Sequence, residues 1–125
     1  MESKNTSVAQ TLTLTGVCDS ACPVQKTANI LDGKWTTLIV RDLLGGKKRY
    51  SELQRSLSGI SPRLLAARLR LLEQHGILTR TAYPTVPPTT EYELTPLGRG
   101  LRDVIEAMAR FGGVGTKYDA GGPHS

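Results

Sequence analysis

The stretch SPRLLAARLRLLEQHG, residues 61–76, decides the fold of this chain. It predicts one helix, because Ser61 is a favourable N-cap, Pro62 suits the first helical position and Gly76 stops the far end. Three leucines share a stripe that should face the core: Leu65, Leu69 and Leu72. The opposite side should face outward and combines small side chains with basic or polar ones: Arg63, Ala66, Ala67, Arg70 and Gln74.

Three further helices are predicted upstream. The first starts at Pro23 and stops at Gly33, and the second follows it and ends at Gly45-Gly46. The second carries Trp35 on its apolar face, where a core position is favoured over a ligand platform. The third helix is predicted to begin at Ser51, with Gln54 at capping-box spacing, and to end at 58–59.

Downstream of Gly76 the apolar period changes from 3.6 to 2, which predicts strands over 78–83 and 90–94. The Pro-rich segment 84–88 between them should form an exposed tip. A last helix should begin at Thr95-Pro96 and carries a long apolar stripe: Leu101, Val104, Ile105, Met108 and Phe111. This stripe could belong to the chain's own core, but in so small a domain we favour a dimer interface.

These elements predict an α+β fold, mainly helical: a winged helix-turn-helix with a two-stranded wing and flanking N- and C-terminal dimerisation helices. We expect a flexible arm over residues 1–17, one domain over 18–112 and a flexible Gly-rich tail over 113–125. The hydrophobic fraction of 38% is low. That composition also favours a chain that buries a second surface against another copy of itself.

The positive charge is concentrated in the middle of the chain. Between Arg41 and Arg80 nine Lys or Arg face three Asp or Glu, a net charge of +6, whereas the seven basic and eight acidic residues elsewhere leave −1. Such a block indicates a polyanionic partner, although a solvated basic face would have the same composition. Lys47, Lys48 and Arg49 are expected in a loop, where phosphate contact and plain solubility are equally good explanations.

The predicted helix 61–76 suits the major groove of DNA. The groove is about 12 Å wide and admits one helix if no bulky apolar side chain blocks it, and Ala66 and Ala67 allow that approach. Arg63 and Arg70 could reach guanine edges or phosphates, and Ser61 with the first backbone N–H groups could hold a phosphate. For Arg68, an internal bond to a nearby carboxylate (Glu52 or Glu73) is as good an interpretation as phosphate contact.

Residues 22 to about 111 closely resemble the HxlR family of bacterial regulators, which are related in fold to MarR-type proteins. The resemblance rests on segments in fixed order: 22–24 (CPV), 33–35 (GKW), 50–53 (YSEL), 59–63 (GISPR), 69–73 (LRLLE), 76–78 (GIL), 83–88 (YPTVPP), 91–95 (EYELT) and Gly98. It implies a winged helix homodimer that binds an operator in double-stranded DNA. It also implies that 61–76 is the recognition helix and that the first and last helices dimerise.

The wing departs from the family pattern at one position. Family members often have a basic residue just after the Pro-Pro of the wing, where this chain has Thr89. Wing contact with DNA should therefore be weaker, or should fall to Arg80 at the strand base. Arg80 could instead pair across the hairpin with Glu91 or Glu93.

Cys22 immediately precedes Pro23 and is therefore expected at a helix N-terminus, where the helix dipole stabilises a thiolate. Some family members sense oxidants or electrophiles through a cysteine at this place, and Cys18 could resolve a sulfenic acid formed on Cys22. The alternative is that Cys22 packs inertly beneath the helix start.

Other functional classes are disfavoured. The two histidines, His75 and His124, form no recognisable triad, and the cysteine pair lacks a second ligand pair for zinc, so we expect no enzyme, metal or cofactor. No apolar run or leader indicates a membrane span or secretion, so we expect a cytoplasmic protein whose small-molecule effector, if any, is unknown. The main alternative is a winged helix used only for protein contact; RNA binding lacks an aromatic stacking platform.

Overall fold

The computed structural model describes residues 22–113. Its helices are α1 (Pro23–Ile30), α2 (Gly33–Leu43), α3 (Tyr50–Ser56), α4 (Pro62–Gln74), α5 (Pro96–Arg99) and α6 (Arg102–Gly113). Its strands are β1 (Lys48–Arg49), β2 (Leu78–Tyr83) and β3 (Thr89–Leu94). The predicted winged helix-turn-helix fold is confirmed. The predicted arm over 1–17 lies outside the described residues, as does the tail beyond Gly113.

The wing belongs to a three-stranded antiparallel sheet, in the order β1-β3-β2. The prediction of a two-stranded wing was therefore incomplete. Lys48 and Arg49, expected in a loop, pair with Tyr92 and Glu91 of β3. Two residues are too few for an alternating pattern, so this strand depends on β3 to be extended.

Two helix boundaries differ from the prediction. The third helix begins at Tyr50, and its N-terminal contact joins the Glu52 carboxylate to the Arg49 backbone N–H at 2.7 Å, so the expected Ser51–Gln54 capping box was wrong. Gln54 instead donates from Nε2 to the Ile60 carbonyl at 3.1 Å. The last helix is interrupted at 100–101, which separates α5 from α6.

One hydrophobic core joins all layers of the fold, and α2 packs against α4, β3 and α6 around it. Its buried members are Ile39, Val40, Leu43, Leu53, Leu57, Ile60, Leu65, Leu69, Leu72, Ile77, Leu78, Tyr92, Leu94, Leu101 and Ile105. Trp35 is half-buried against this core, as expected. The core holds α4 by its leucine stripe and so determines which side of the helix faces solvent.

Candidate nucleic-acid interface

Helix α4 presents the predicted side to solvent. Leu65, Leu69 and Leu72 are at most 2% exposed. Arg63, Arg70 and Gln74 are exposed, and Ala66 and Ala67 are half-buried. The helix therefore offers a surface of small alanine side chains, with two exposed arginines about two turns apart at its edges. A DNA contact by these residues stays a prediction.

The start of α4 is held by two side-chain hydrogen bonds. Ser61 Oγ accepts from the Leu64 backbone N–H at 3.1 Å, which confirms Ser61 as the N-cap. Tyr50 Oη donates to the Pro62 carbonyl at 3.0 Å and so ties the first turn of α3 to the first turn of α4. Together with the bond from Gln54 to Ile60, these contacts orient the two helices of the helix-turn-helix. Sequence reasoning assigned Tyr50 no such part, because its partner lies 12 residues away.

The basic segment 47–49 is partly neutralised within the chain. Lys47 Nζ lies 3.7 Å from a Glu91 carboxylate oxygen, and Arg49 Nη2 lies 3.9 Å from Glu52. In both pairs the cationic side chain is more than half exposed, and the pairs are therefore weak. Lys48 is half-buried beside β3. These side chains remain candidates for phosphate contact, although Lys47 and Arg49 each already have a carboxylate neighbour.

The wing tip is apolar and hydroxyl-rich. Val86 is 98% exposed, and the Thr85 and Thr89 hydroxyl oxygens lie 2.9 Å apart. Tyr83 Oη donates to Glu91 at 3.1 Å, and this hydrogen bond with the neighbouring carboxylate raises the pKa of Tyr83. Arg80 is the single cationic residue of the hairpin formed by residues 78–94.

Arg80 lies opposite Tyr92 in the strand register. The alternative that Arg80 pairs with Glu91 or Glu93 was wrong, because side chains directly opposite each other on one face are the ones that meet. The alternative of an internal ion pair for Arg68 was also wrong. Arg68 is half-buried, and neither Glu52 nor Glu73 forms a salt bridge with it.

The apolar stripe of the last helix divides between core and surface. Leu101 and Ile105 are 8% and 9% exposed within the chain's own core, which leaves them little surface for the predicted dimer interface. Val104 is half-buried against the same core. Met108 and Phe111 are 48% and 73% exposed and can contact another molecule. The stripe divides because the first turn of α6 packs against the core, whereas Met108 and Phe111 lie beyond it.

Cys22 is the N-cap residue of α1, which confirms its predicted place, and its carbonyl accepts from the Lys26 backbone N–H at 2.9 Å. It is only 2% exposed. Cys18 lies outside the described residues. Val24, the second residue of α1, is 58% exposed.

Within residues 22–113 no group of three or more His, Cys, Asp or Glu side chains is placed to hold a metal ion. No helix in the same range has the length and apolar character that crossing a bilayer requires.

Known proteins share both the sequence and this geometry. The HxlR-like helix-turn-helix family model matches residues 30–118. An HTH-type transcriptional regulator of Synechocystis sp. is 44% identical over 91 residues, which are 73% of this chain and 67% of the relative.

Two solved structures extend the comparison. A MarR-family transcriptional regulator of Porphyromonas gingivalis W83 is 40% identical with a TM-score of 0.76, over 80% of this chain and 98% of that one. The redox regulator HypR in its reduced form is 39% identical with a TM-score of 0.69, over 72% and 89%. This chain belongs to the HxlR-like helix-turn-helix family of transcriptional regulators.

Proposed function

We propose that this chain is a sequence-specific DNA-binding repressor that binds a pseudo-palindromic operator as a homodimer. The observation that carries the proposal is the solvent-facing side of α4. There Arg63 and Arg70 flank small alanine side chains that leave room for close approach to DNA. Recognition helices of this kind enter the major groove and contact base edges with their N-terminal residues. Arg63, in the first turn of α4, is therefore our candidate for base contact.

Homodimerisation is supported by the apolar side chains left exposed on α1 and α6. Val24, Met108 and Phe111 are all about half exposed or more. Burying these side chains against a second copy would remove them from water and bring two α4 helices onto one duplex. In such dimers the two half-sites lie about one helical turn apart, ~34 Å.

The direct test is selection of bound duplexes from a random-sequence pool, followed by affinity measurements on the selected and on random DNA. Arg63→Ala should weaken binding to the selected duplex by about 1–3 kcal/mol and random DNA much less, as expected for a base contact. Arg41→Ala is the matched control, because Arg41 lies on α2 beside Asp42 and outside the helix-turn-helix and wing. Equal losses of affinity on both duplexes would indicate that Arg63 contacts a phosphate and not a base edge.

The salt dependence of the same binding separates DNA recognition from the protein-contact alternative. A protein that neutralises six or more phosphates loses affinity steeply as salt rises. If the chain binds no duplex at low salt, the exposed surface of α4 would be assigned to contact with a protein partner. Repression is tested by a reporter placed behind the selected sequence, whose expression should rise when the gene for this chain is deleted.

We further propose that Cys22 makes the regulator redox-responsive. Support comes from its place at the start of α1 and from the similarity to HypR, which is a redox regulator by name. A peroxide would oxidise the thiol to a sulfenic acid with release of water or alcohol, and a second thiol would then displace water to form a disulfide. The burial of Cys22 predicts slow reaction until the start of α1 opens.

Peroxide or diamide should change operator affinity of the wild type and leave the Cys22→Ser variant unaffected. The Cys18→Ser variant is the comparison. If Cys18 supplies the second thiol, oxidation of Cys22 in this variant should stop at the sulfenic acid. An oxidant response that survives in Cys22→Ser would exclude Cys22 as the sensor.

A further inference from the structure

A notch opens between α4 and the wing, on the side of the helix that faces β2. It has a volume of about 280 Å³ and is lined by Ala66, Leu69, Arg70, Glu73, Arg80 and Tyr92. The four α4 residues follow the i, i+3, i+4, i+7 spacing of a single helix face. Arg80 and Tyr92 are direct cross-strand partners on β2 and β3. The fold thus brings two arginines from different elements to one concave surface.

The arginines of the notch are available to an anion. Within the described part of the chain neither Arg70 nor Arg80 forms a salt bridge, whereas Lys47 and Arg49 each have a carboxylate neighbour. Both Arg70 and Arg80 are exposed. A guanidinium only donates hydrogen bonds, and its planar fork matches the oxygens of a phosphate group.

Tyr92 lies beside Arg80 on the neighbouring strand. The Tyr92 side chain is 7% exposed and belongs to the core, so its ring is fixed. Burial raises the pKa of Tyr92, whereas the positive charge of Arg80 acts in the opposite direction. The cross-strand register places the Arg80 side chain beside Tyr92 at the edge of the notch. A neighbour fixed in this way limits the conformational freedom that Arg80 loses when it binds an anion.

We propose that this notch holds one phosphate of the DNA backbone between Arg70 and Arg80, with Tyr92 as the positioning residue for Arg80. The inference rests on the proposed DNA-binding function and assigns different tasks along α4. Arg63 contacts base edges at the start of α4. Arg70 and Arg80 bind the DNA phosphate backbone and so determine the angle of the wing on the duplex. Glu73, in the same notch, repels the phosphate and limits the affinity.

The test measures affinity against salt concentration for the full chain on the selected duplex and on random DNA. Arg80→Ala and Arg70→Ala should each weaken binding roughly tenfold on both duplexes and lower the salt slope by about one. Glu73→Gln, at an exposed position, should tighten binding roughly threefold on both. Arg41→Ala serves as the charge-matched control and should leave the slope unchanged.

A double-mutant cycle isolates the positioning role. Tyr92→Phe keeps the buried ring and should weaken binding roughly fivefold, the effect of one lost hydrogen bond. In an Arg80→Ala background the same change should have no further effect, because its only target is gone. A purely structural role would instead reduce binding equally in both backgrounds and would overturn the assignment of Tyr92. Thermal melts of each variant separate binding losses from unfolding.

The remaining outcomes are also decisive. If the wild type binds with a steep salt slope but Arg80→Ala and Arg70→Ala behave like Arg41→Ala, the notch is not a phosphate site and the proposed function stands. If the wild type binds no duplex, both proposals fail. If inorganic phosphate stabilises the wild type but not Arg80→Ala while the salt slopes stay equal, the notch takes a free anion and the backbone assignment is overturned.

Discussion

Thr95 shows how a single side chain connects the end of α4 to the start of α5. Its Oγ1 donates to the Gly76 carbonyl at 2.6 Å and accepts from the Gly98 backbone N–H at 3.0 Å. Gly76 has a φ of 75°, which favours glycine and ends α4. One threonine thus satisfies polar groups at the end of one helix and at the start of α5.

Gly98 is buried directly against the backbone of Ile77. A Cβ at this position would overlap the Ile77 carbonyl oxygen, and a backbone atom cannot rotate away. We expect Gly98→Ala to lower the free energy of unfolding by about 3 kcal/mol, measured by urea denaturation.

Gly112→Ala is the matched control. Nothing lies within 4 Å of a Cβ at Gly112, so alanine should leave stability unchanged or raise it by about 0.5–1 kcal/mol through helix propensity. Equal stability of Gly98→Ala and the wild type would show that α5 shifts easily against Ile77.

At the scale of elements, α3 depends on a carboxylate at its start. The pKa of Glu52 lies below its ordinary value of 4.5, chiefly because the carboxylate accepts a hydrogen bond from the Arg49 backbone N–H. The positive charges of Arg49, Lys48 and Arg55 act in the same direction. A pKa lowered by folding means that the charged carboxylate stabilises the native state above the unfolded-state pKa. This stabilisation is lost as pH falls through the folded-state pKa.

Glu52→Gln should therefore be less stable than the wild type at neutral pH, and the difference should shrink as pH falls below about 4.5. Thermal melts between pH 3 and pH 7 measure this convergence. Glu93→Gln removes a carboxylate from the exposed side of β3 and should not reproduce it. A difference that is constant with pH would indicate that the Glu52 side chain acts through packing instead of charge.

At the scale of the whole molecule, the exposed apolar residues of α1 and α6 predict self-association. Phe111→Glu should raise the dimer dissociation constant at least roughly hundredfold, because each of two symmetry-related copies would lose a buried phenylalanine. Sedimentation velocity over a concentration series measures the change. Val86→Glu is the control, since Val86 is more exposed than Phe111 but lies at the wing tip. A monomeric wild type, or a Phe111→Glu variant that still dimerises, would contradict the proposed interface.

Much of the fold could be read from local pattern. The helix over 61–76, its Ser61 cap and both long strands follow from periodicity and from Ser, Pro and Gly at helix ends, and these signals act over a few residues. The outward side of α4 follows equally from the spacing of Leu65, Leu69 and Leu72. The sequence by itself therefore determined the winged helix architecture and the side of α4 that faces solvent.

Contacts between distant segments were decided only by the tertiary structure. Strand β1 forms because Lys48 meets Tyr92, 44 positions along the chain, and no local pattern records that pairing. The division of the α6 stripe depends on where the helix leaves the core, and the notch of Arg70, Arg80 and Tyr92 depends on how α4 lies against the wing. Local periodicity determines which face of an element is apolar. What that face meets is determined by the packing of all elements together, because burial is a property of the whole fold.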